Sequence, residues 1–168
     1  MAVLPIVTVP DPVLRRKAHK VTDFGKEFQE TVENMLVTLR DAPGVGLAAP
    51  QVGISDRLIL VEYGDDDDET VPKKLYIVAN PEIVSASEEK VEGLEGCLSV
   101  PGLVGMVERY QSIVVKGFNR HGKPTRIKAS DWMARIFQHE IDHLDGIVFT
   151  DLTEKIWEPG PEDEVLAD

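Results

Sequence analysis

The chain has 168 residues, of which 42% are hydrophobic and 29% are charged. This length suits one domain with its own core, and the composition, which contains no apolar run of membrane-spanning length, indicates neither a disordered nor a membrane-spanning chain. The formal net charge of −12 disfavours the phosphate backbone of a nucleic acid as the primary ligand.

The cysteine content and the N-terminus indicate the compartment. Cys97 is the single cysteine, so no internal disulfide can form, and an unpaired thiol suits a reducing environment. Residues 1–7 have no basic segment before their short apolar stretch and resemble neither a secretory signal nor a transit peptide. We therefore expect a cytoplasmic protein.

Two helices are predicted from apolar spacing and end signals. Over residues 21–40 apolar side chains recur three or four positions apart, with Thr22 or Asp23 available as the cap. Asp131 predicts the start of a second helix, which Gly146 ends.

Between the two helices, short apolar runs separated by turn residues predict strands. They give an α+β fold in which short, mostly antiparallel strands surround the second helix, while the first helix packs outside, in a single domain of residues 1–168. The acidic run at 65–69 is expected to be a solvated hairpin loop, and the acidic tail from about residue 153 is expected to be mobile. The predicted strands are residues 58–61, 75–79, 95–100, 113–117 and 125–129.

The second predicted helix carries a metal-binding pattern. His139 and His143 stand at positions i and i+4, with Glu140 directly after the first histidine. Trp132 and Ile136 lie on the same face as His139, which directs the histidine pair toward the core, where imidazoles need partners. The pattern favours a metal site over two polar residues on a helix surface.

A catalytic metal site needs a third protein ligand. The position of the third histidine in metzincins is Phe149 here, and the alternative of an acidic ligand near Glu162 conflicts with the prolines that precede it. Cys97 is the remaining candidate, against the alternative of a small buried apolar residue. We expect His19 and His121, in a basic segment and in a turn, to be surface residues.

Three segments in the same order resemble the motifs of the peptide deformylase family. Supporting matches include Arg109, and together they span roughly residues 4–151. The segments are 44–51 (GVGLAAPQ), 95–99 (EGCLS) and 138–146 (QHEIDHLDG), and the other supporting matches are 10–15 (PDPVLR) and 80–81 (NP).

The resemblance implies a hydrolase that removes formate from the N-formyl-methionine of newly made proteins. It implies a divalent metal with water as the fourth ligand and Glu140 as the general acid and base. It also implies that the formyl oxygen is bound by the amide of Gln51 and the backbone N–H of Leu98, and that the backbone around Gly46 pairs with the substrate. The implied metal ligands are Cys97, His139 and His143.

Further substrate and support residues are predicted by position. Gly44 and Gly46, on either side of Val45, lack a Cβ and would let an extended peptide approach the backbone, although an ordinary turn is the alternative. Trp132 and Ile136 are expected to form pocket walls. Two arginines are also predicted to belong to the site. Arg135 either borders the mouth of the site or is solvated. Arg109 is expected to hold the Cys97 segment or a carboxylate such as Asp142.

Metal identity and partners are the next expectations. A thiolate with two imidazoles suits several divalent ions, and the resemblance implies Fe²⁺ in the cell, with Zn²⁺, Ni²⁺ or Co²⁺ able to substitute. The partners expected are N-formyl-Met nascent peptides and a transient ribosome contact. The acidic tail would not bind RNA, and no membrane partner is expected.

Two other functions compete with deformylation. A zinc endopeptidase would use His139, Glu140 and His143 to cleave internal peptide bonds and would tolerate replacement of Cys97 better. A non-enzymatic metal-binding module would need a closed site with four protein ligands, and the sequence offers no convincing fourth one.

Overall fold

The fold consists of two helices and eight strands within the residues that the computed structural model describes, which are 1–64 and 70–163. Short 3₁₀ segments occupy Pro12–Arg15, Ala49–Val52 and Phe149–Asp151. The helices are α1 (Lys26–Asp41) and α2 (Asp131–Leu144). The strands are β1 (Gly46–Ala48), β2 (Leu58–Tyr63), β3 (Lys74–Ala86), β4 (Lys90–Cys97), β5 (Val100–Tyr110), β6 (Ser112–Phe118), β7 (Pro124–Ser130) and β8 (Ile156–Trp157).

A five-stranded antiparallel sheet in the order β1-β2-β3-β6-β7 separates the two helices. Because side chains alternate along a strand, Leu58 and Leu60 of β2 pack in one core cluster with α1, and Ile59 and Val61 pack in another with α2. Both faces of β2 are therefore covered, which explains its continuous apolar run.

A second sheet in the order β4-β5-β8 completes the enclosure of α2. Ten of the fourteen residues of α2 are buried, as befits a central helix. The predicted α+β class, with antiparallel strands around this helix and α1 on the outside, agrees with the structure.

The first predicted helix starts later than expected. Instead of beginning near residue 21, α1 begins at Lys26, with Gly25 as its N-cap. The backbone of Val21 does not join the helix, because both of its polar groups bond the side chain of Asn80. That side chain accepts from Val21 N–H at 2.8 Å and donates to Val21 C=O at 2.9 Å. Asp23 accepts from the N–H of Gly25 and so supports the turn into the helix.

The strand predicted at 95–100 is wrong, because the chain reverses within it. Cys97 of β4 is paired with Val100 of β5, so Leu98 and Ser99 form the tip of a hairpin. The hairpin is also much longer than the prediction. Its four glycines interrupt the apolar alternation from which a strand is recognised.

The tail is more structured than expected as far as residue 163. Strand β8 pairs with β5, and the indole Nε1 of Trp157 and the N–H of Gly160 both donate to the Asp163 carboxylate. These contacts lie within the segment for which the sequence predicts a mobile tail from about residue 153. The acidic run at 65–69 and the last five residues lie outside the described residues.

No helix in the described parts of the chain is long and apolar enough to cross a membrane.

Candidate active site and metal centre

Helix α2 presents two histidines and a glutamate in the interior of the fold. The relative exposure of His139, Glu140 and His143 is 1%, 0% and 0%. The two imidazole rings lie 5.0 Å apart between centroids, as expected for neighbours one helical turn apart. The apolar residues Phe137 and Leu144 of the same helix pack into the core and hold this face in place.

The end of β4 brings the cysteine to this pair. The Sγ of Cys97 lies 3.4 Å from Nε2 of His143, and one ligand atom from each of Cys97, His139 and His143 lies within 4.8 Å of the others. All three residues are buried. One thiolate and two imidazoles at this spacing fit a divalent transition-metal ion.

The protonation state of His143 suits a ligand. Complete burial, with further contributions from His139 and Arg109, holds the pKa of His143 well below its usual value. The ring is therefore neutral near pH 7, which is the form that donates a nitrogen lone pair to a metal.

A buried carboxylate supports the first histidine. Glu95 lies on the same face of β4 as Cys97, and its Oε1 is 2.9 Å from Nδ1 of His139. Arg109 donates to both oxygens of Glu95 at 2.8 and 2.9 Å, and Arg135 donates to Oε2 at 2.6 Å. Because Nδ1 of His139 is engaged by this bond, Nε2 is the nitrogen that could bind a metal.

The charges in this network are matched. Burial alone would raise the pKa of Glu95, but the hydrogen bonds and charges of Arg109 and His139 outweigh it and hold that pKa far below its usual value. Arg109 also bonds Asp142. Burial raises the pKa of Asp142, against the opposing effect of this arginine. Glu95 is thus ionised at neutral pH, between the guanidinium groups of Arg109 and Arg135.

Gln51 is oriented toward the ligand cluster by its own backbone neighbourhood. Its Oε1 accepts from the N–H of Ala48 at 2.9 Å, which turns Nε2 toward Ser99 Oγ at 3.2 Å and Cys97 Sγ at 3.6 Å. Leu98 follows Cys97 at the hairpin tip and is partly buried. The amide donor of Gln51 therefore approaches the cysteine from the 3₁₀ segment that follows β1, and the backbone of Leu98 approaches it from the hairpin.

Glu140 packs directly against the backbone of β1. A Cβ built on Gly46 would lie 2.5 Å from Oε2 and 3.0 Å from Cδ of Glu140. A side chain at position 46 would therefore displace this carboxylate. The glycine has a packing reason in addition to the substrate approach predicted from sequence.

The predicted surroundings of the peptide are partly corrected. Trp132 is 39% exposed, and Gly44 and Val45 are partly buried beside edge strand β1. Ile136, in contrast, is 1% exposed within the core cluster of α2, so it does not line open space. Arg135 is neither at the mouth nor solvated, because its guanidinium points inward to Glu95.

Two contributors were not predicted. Glu95 has no predicted role of its own, although an acidic residue two positions before Cys97 on a predicted strand shares its face and is a usable signal. Ser99 joins through its contact with Gln51, 48 positions away, for which the sequence carries no local signal.

Arg109 makes both of its anticipated contacts, to Glu95 in the Cys97 segment and to Asp142. His19 and His121 are exposed, as expected.

A buried cluster of one cysteine from a strand and two histidines from a helix with the His-Glu-x-x-His spacing is typical of metal-dependent hydrolases. The profile of the polypeptide deformylase family matches residues 3–157. The chain belongs to this family, whose members remove the formyl group from the N-terminus of peptides.

Individual relatives agree with the family assignment. The chain is 52% identical over 151 residues to a peptide deformylase of Symbiobacterium thermophilum, covering 90% of this chain and 67% of the relative. It is 47% identical over 157 residues to that of Natranaerobius thermophilus, covering 94% and 96%. The Met-Ala-Ser-bound peptide deformylase of Acinetobacter baumannii superimposes with a TM-score of 0.83 at 35% identity, covering 90% of this chain and 99% of that one. The endopeptidase alternative is not favoured.

Proposed function

We propose that Cys97, His139 and His143 hold one divalent metal ion and that this centre removes the formyl group from N-formyl-Met peptides. The observation that carries the proposal is the convergence of three buried ligand atoms within 4.8 Å of one another, two of them on the helix that also carries the buried Glu140. When bound, the metal supplies Lewis-acid chemistry that polarises the formyl carbonyl and lowers the pKa of water toward neutrality. The ion proposed for the cell is Fe²⁺, with Zn²⁺, Ni²⁺ or Co²⁺ able to replace it.

Glu140 is the proposed general base and acid. It directly follows a proposed ligand on α2, so its carboxylate lies beside the ligand cluster without belonging to it. Its oxygens accept the proton of the attacking water and then deliver it to the amine nitrogen that leaves. Packing against Gly46 keeps the carboxylate in one position for both transfers.

Gln51 and Leu98 are the proposed donors to the formyl oxygen. As negative charge develops on that oxygen, Nε2–H of Gln51 and the backbone N–H of Leu98 stabilise it. Removal of one such donor typically costs about 3 kcal/mol in the barrier. The bond from Ala48 N–H to Gln51 Oε1 orients the amide before substrate arrives, so no reorganisation is needed during the reaction.

The peptide is proposed to bind along β1. This strand is an edge of the five-stranded sheet, and an edge strand offers unpaired backbone groups to an extended peptide. The backbone of Gly44, Val45 and Gly46 would pair with the residues after formyl-Met, with Trp132 beside the entrance. The Met-Ala-Ser peptide in the Acinetobacter baumannii structure supports this class of ligand.

We further propose a single catalytic domain that acts in the cytoplasm on nascent chains, with transient ribosome contact. The lone, buried and unpaired Cys97 supports a reducing compartment. The net charge of −12 supports a contact that does not rest on direct nucleic-acid binding.

The test is anaerobic formate release from formyl-Met-Ala-Ser by protein loaded with Fe²⁺ or Ni²⁺. Glu140→Gln keeps the volume of this buried side chain, and it should lower kcat by about 10²–10⁴-fold while metal content stays near one per chain. Glu30→Gln, on the exposed side of α1, is the matched control and should retain activity.

Two results would contradict the proposal. Activity of Glu140→Gln close to that of the wild type would remove Glu140 from the proton transfers. Absence of formate release from metal-loaded wild type, with cleavage of an internal peptide bond in its place, would replace deformylation by endopeptidase activity.

A further inference from the structure

Arg135 joins the helix of the proposed metal site to the hairpin that carries its cysteine. It is 4% exposed, and it leaves α2 one turn before His139. Its Nη1 donates to Glu95 at 2.6 Å and to the C=O of Val107 at 2.7 Å, and its Nη2 donates to the C=O of Val91 at 2.7 Å. One guanidinium therefore binds the backbone of β4 and of β5 and the carboxylate of Glu95 on β4.

Gly93 of β4 provides the space for this guanidinium. A Cβ at position 93 would lie 2.7 Å from both Cζ and Nε of Arg135 and 2.9 Å from Nη2. Contacts under 3 Å are not tolerated, and the guanidinium has little freedom to move because three acceptors hold it. Position 93 is thus shaped around Arg135.

The carboxylate of Glu95 connects Arg135 to His139, one of the proposed metal ligands. Glu95 receives Arg135 on Oε2, while its Oε1 is bonded to Nδ1 of His139. Arg109 donates to both oxygens. With Arg135 absent, Glu95 would keep Arg109 and His139 but lose the second of its two contacts to α2.

We infer that Arg135 is a positioning residue of the metal site. Through Glu95 and the carbonyls of Val91 and Val107, it fixes the hairpin against α2. In this way it keeps Cys97 at the distance from His139 and His143 that metal binding needs. This inference rests on the proposed metal site. Outer contacts of this kind set the orientation of metal ligands, and their loss weakens metal affinity or activity about 10–100-fold. The role differs from a substrate contact, because the guanidinium faces inward.

The experiment measures the dissociation rate of the metal as well as the kinetics of the reaction. Wild type and Arg135→Met are loaded with Zn²⁺, and transfer of the ion to a chromogenic chelator gives its dissociation rate. We expect that rate to rise about 10–100-fold in the variant. The KM for formyl-Met-Ala-Ser should stay within twofold of wild type. With Co²⁺ the thiolate charge-transfer band should shift, which general destabilisation of the folded protein would not produce.

Gly93→Ala gives a second route to the same displacement. Its added Cβ should push the guanidinium aside and raise the dissociation rate in the wild-type background. Gly93→Ala should add less than a twofold rise in the Arg135→Met background, where the clash is absent. Arg135→Lys keeps the positive charge, but its single ammonium cannot reach all three acceptors of the guanidinium. We expect its metal dissociation rate to lie between those of wild type and Arg135→Met. Arg126→Met on the exposed side of β7 is the control and should match wild type.

The outcomes separate this inference from the proposed function. A folded Arg135→Met or Gly93→Ala protein with a wild-type dissociation rate and Co²⁺ spectrum overturns the positioning role. A raised KM with unchanged metal release overturns it in favour of a substrate contact. Failure of wild type to bind one metal per chain overturns the proposed site itself. If Arg135→Met does not fold, the comparison rests on Gly93→Ala and Arg135→Lys.

Discussion

At the scale of single residues, the proposed site combines groups whose positions are set by local spacing with groups supplied from afar. His139, Glu140 and His143 come together because they are neighbours on one helix. Glu95 comes from a strand that is 44 positions from His139 in sequence. Its carboxylate accepts bonds from two arginines and lies against His139, so it links charge balance to ligand orientation.

Glu95→Gln should destabilise the fold strongly. The neutral amide cannot balance Arg109 and Arg135, which would leave buried cationic charge uncompensated. We expect the free energy of unfolding to fall by about 3–5 kcal/mol in denaturant titration of the metal-free protein. Glu92→Gln is the control on the same strand, since Glu92 pairs with Lys155 at the surface, and it should change stability by less than about 1 kcal/mol. Equal effects of the two substitutions would refute the central role of Glu95.

Gly46→Ala should disable Glu140 without touching it chemically. The new methyl group would lie 2.5 Å from the Glu140 carboxylate and force it to move. We expect kcat for formate release to drop at least about 10²-fold, the scale of losing a positioned general base. Gly64→Ala, where the added Cβ meets no atom closer than 3.3 Å, is the control. Unchanged kcat in Gly46→Ala would show that the carboxylate does not need this position.

At the scale of elements, the two faces of the five-stranded sheet explain why the helices have different roles. Helix α1 packs through residues such as Val32 and Met35, and its remaining surface meets solvent. Helix α2 is enclosed by both sheets, so polar groups on it are shielded from bulk water and need designated partners. Side-chain contacts also link 3₁₀ segments that lie far apart in the chain.

An ion pair between Arg15 and Asp151 joins the first and last 3₁₀ segments, and its contribution to stability should depend on pH. Burial would raise the pKa of Asp151, but its bonds to Arg15 and to the N–H of Val148 outweigh burial and lower it below the usual value of 3.8. A carboxyl whose pKa is lower in the folded state stabilises the fold above its unfolded-state pKa and loses that contribution as pH falls through the folded value.

Asp151→Asn should therefore lower Tm at pH 7, and the difference from wild type should shrink as pH falls below about 4. Thermal melts of metal-free protein between pH 7 and pH 3 measure it, with Glu30→Gln as the exposed control. A difference in Tm that stays constant over this range would mean that the Asp151 carboxylate contributes no pH-dependent stability.

At the scale of the whole molecule, metal binding and folding should be coupled. The proposed ligands come from β4 and α2, and they converge only when the hairpin packs on the helix. An ion that binds the folded chain alone stabilises it by about 2.7 kcal/mol when its free concentration is one hundred times Kd.

Removing the metal with a chelator should thus lower Tm, and adding Zn²⁺ back should restore it. In Cys97→Ser the shift should be much smaller, because a hydroxyl is a poor substitute for a thiolate ligand. Calorimetry of both proteins with and without Zn²⁺ checks the expectation. A shift of the same size in Cys97→Ser would show that Cys97 does not bind the ion.

The sequence by itself determined the α+β class, the central helix with its histidine pair and the choice of Cys97 as the third candidate ligand, because these depend on spacing along the chain or on short ordered motifs. Only the tertiary structure decided the inward direction of Arg135, the core position of Ile136, the contact between Gly46 and Glu140, and the pairing of β8 with β5. Each of these is a contact between segments distant in sequence. Local periodicity predicts which face of an element is buried but carries no information about which distant side chain will meet it.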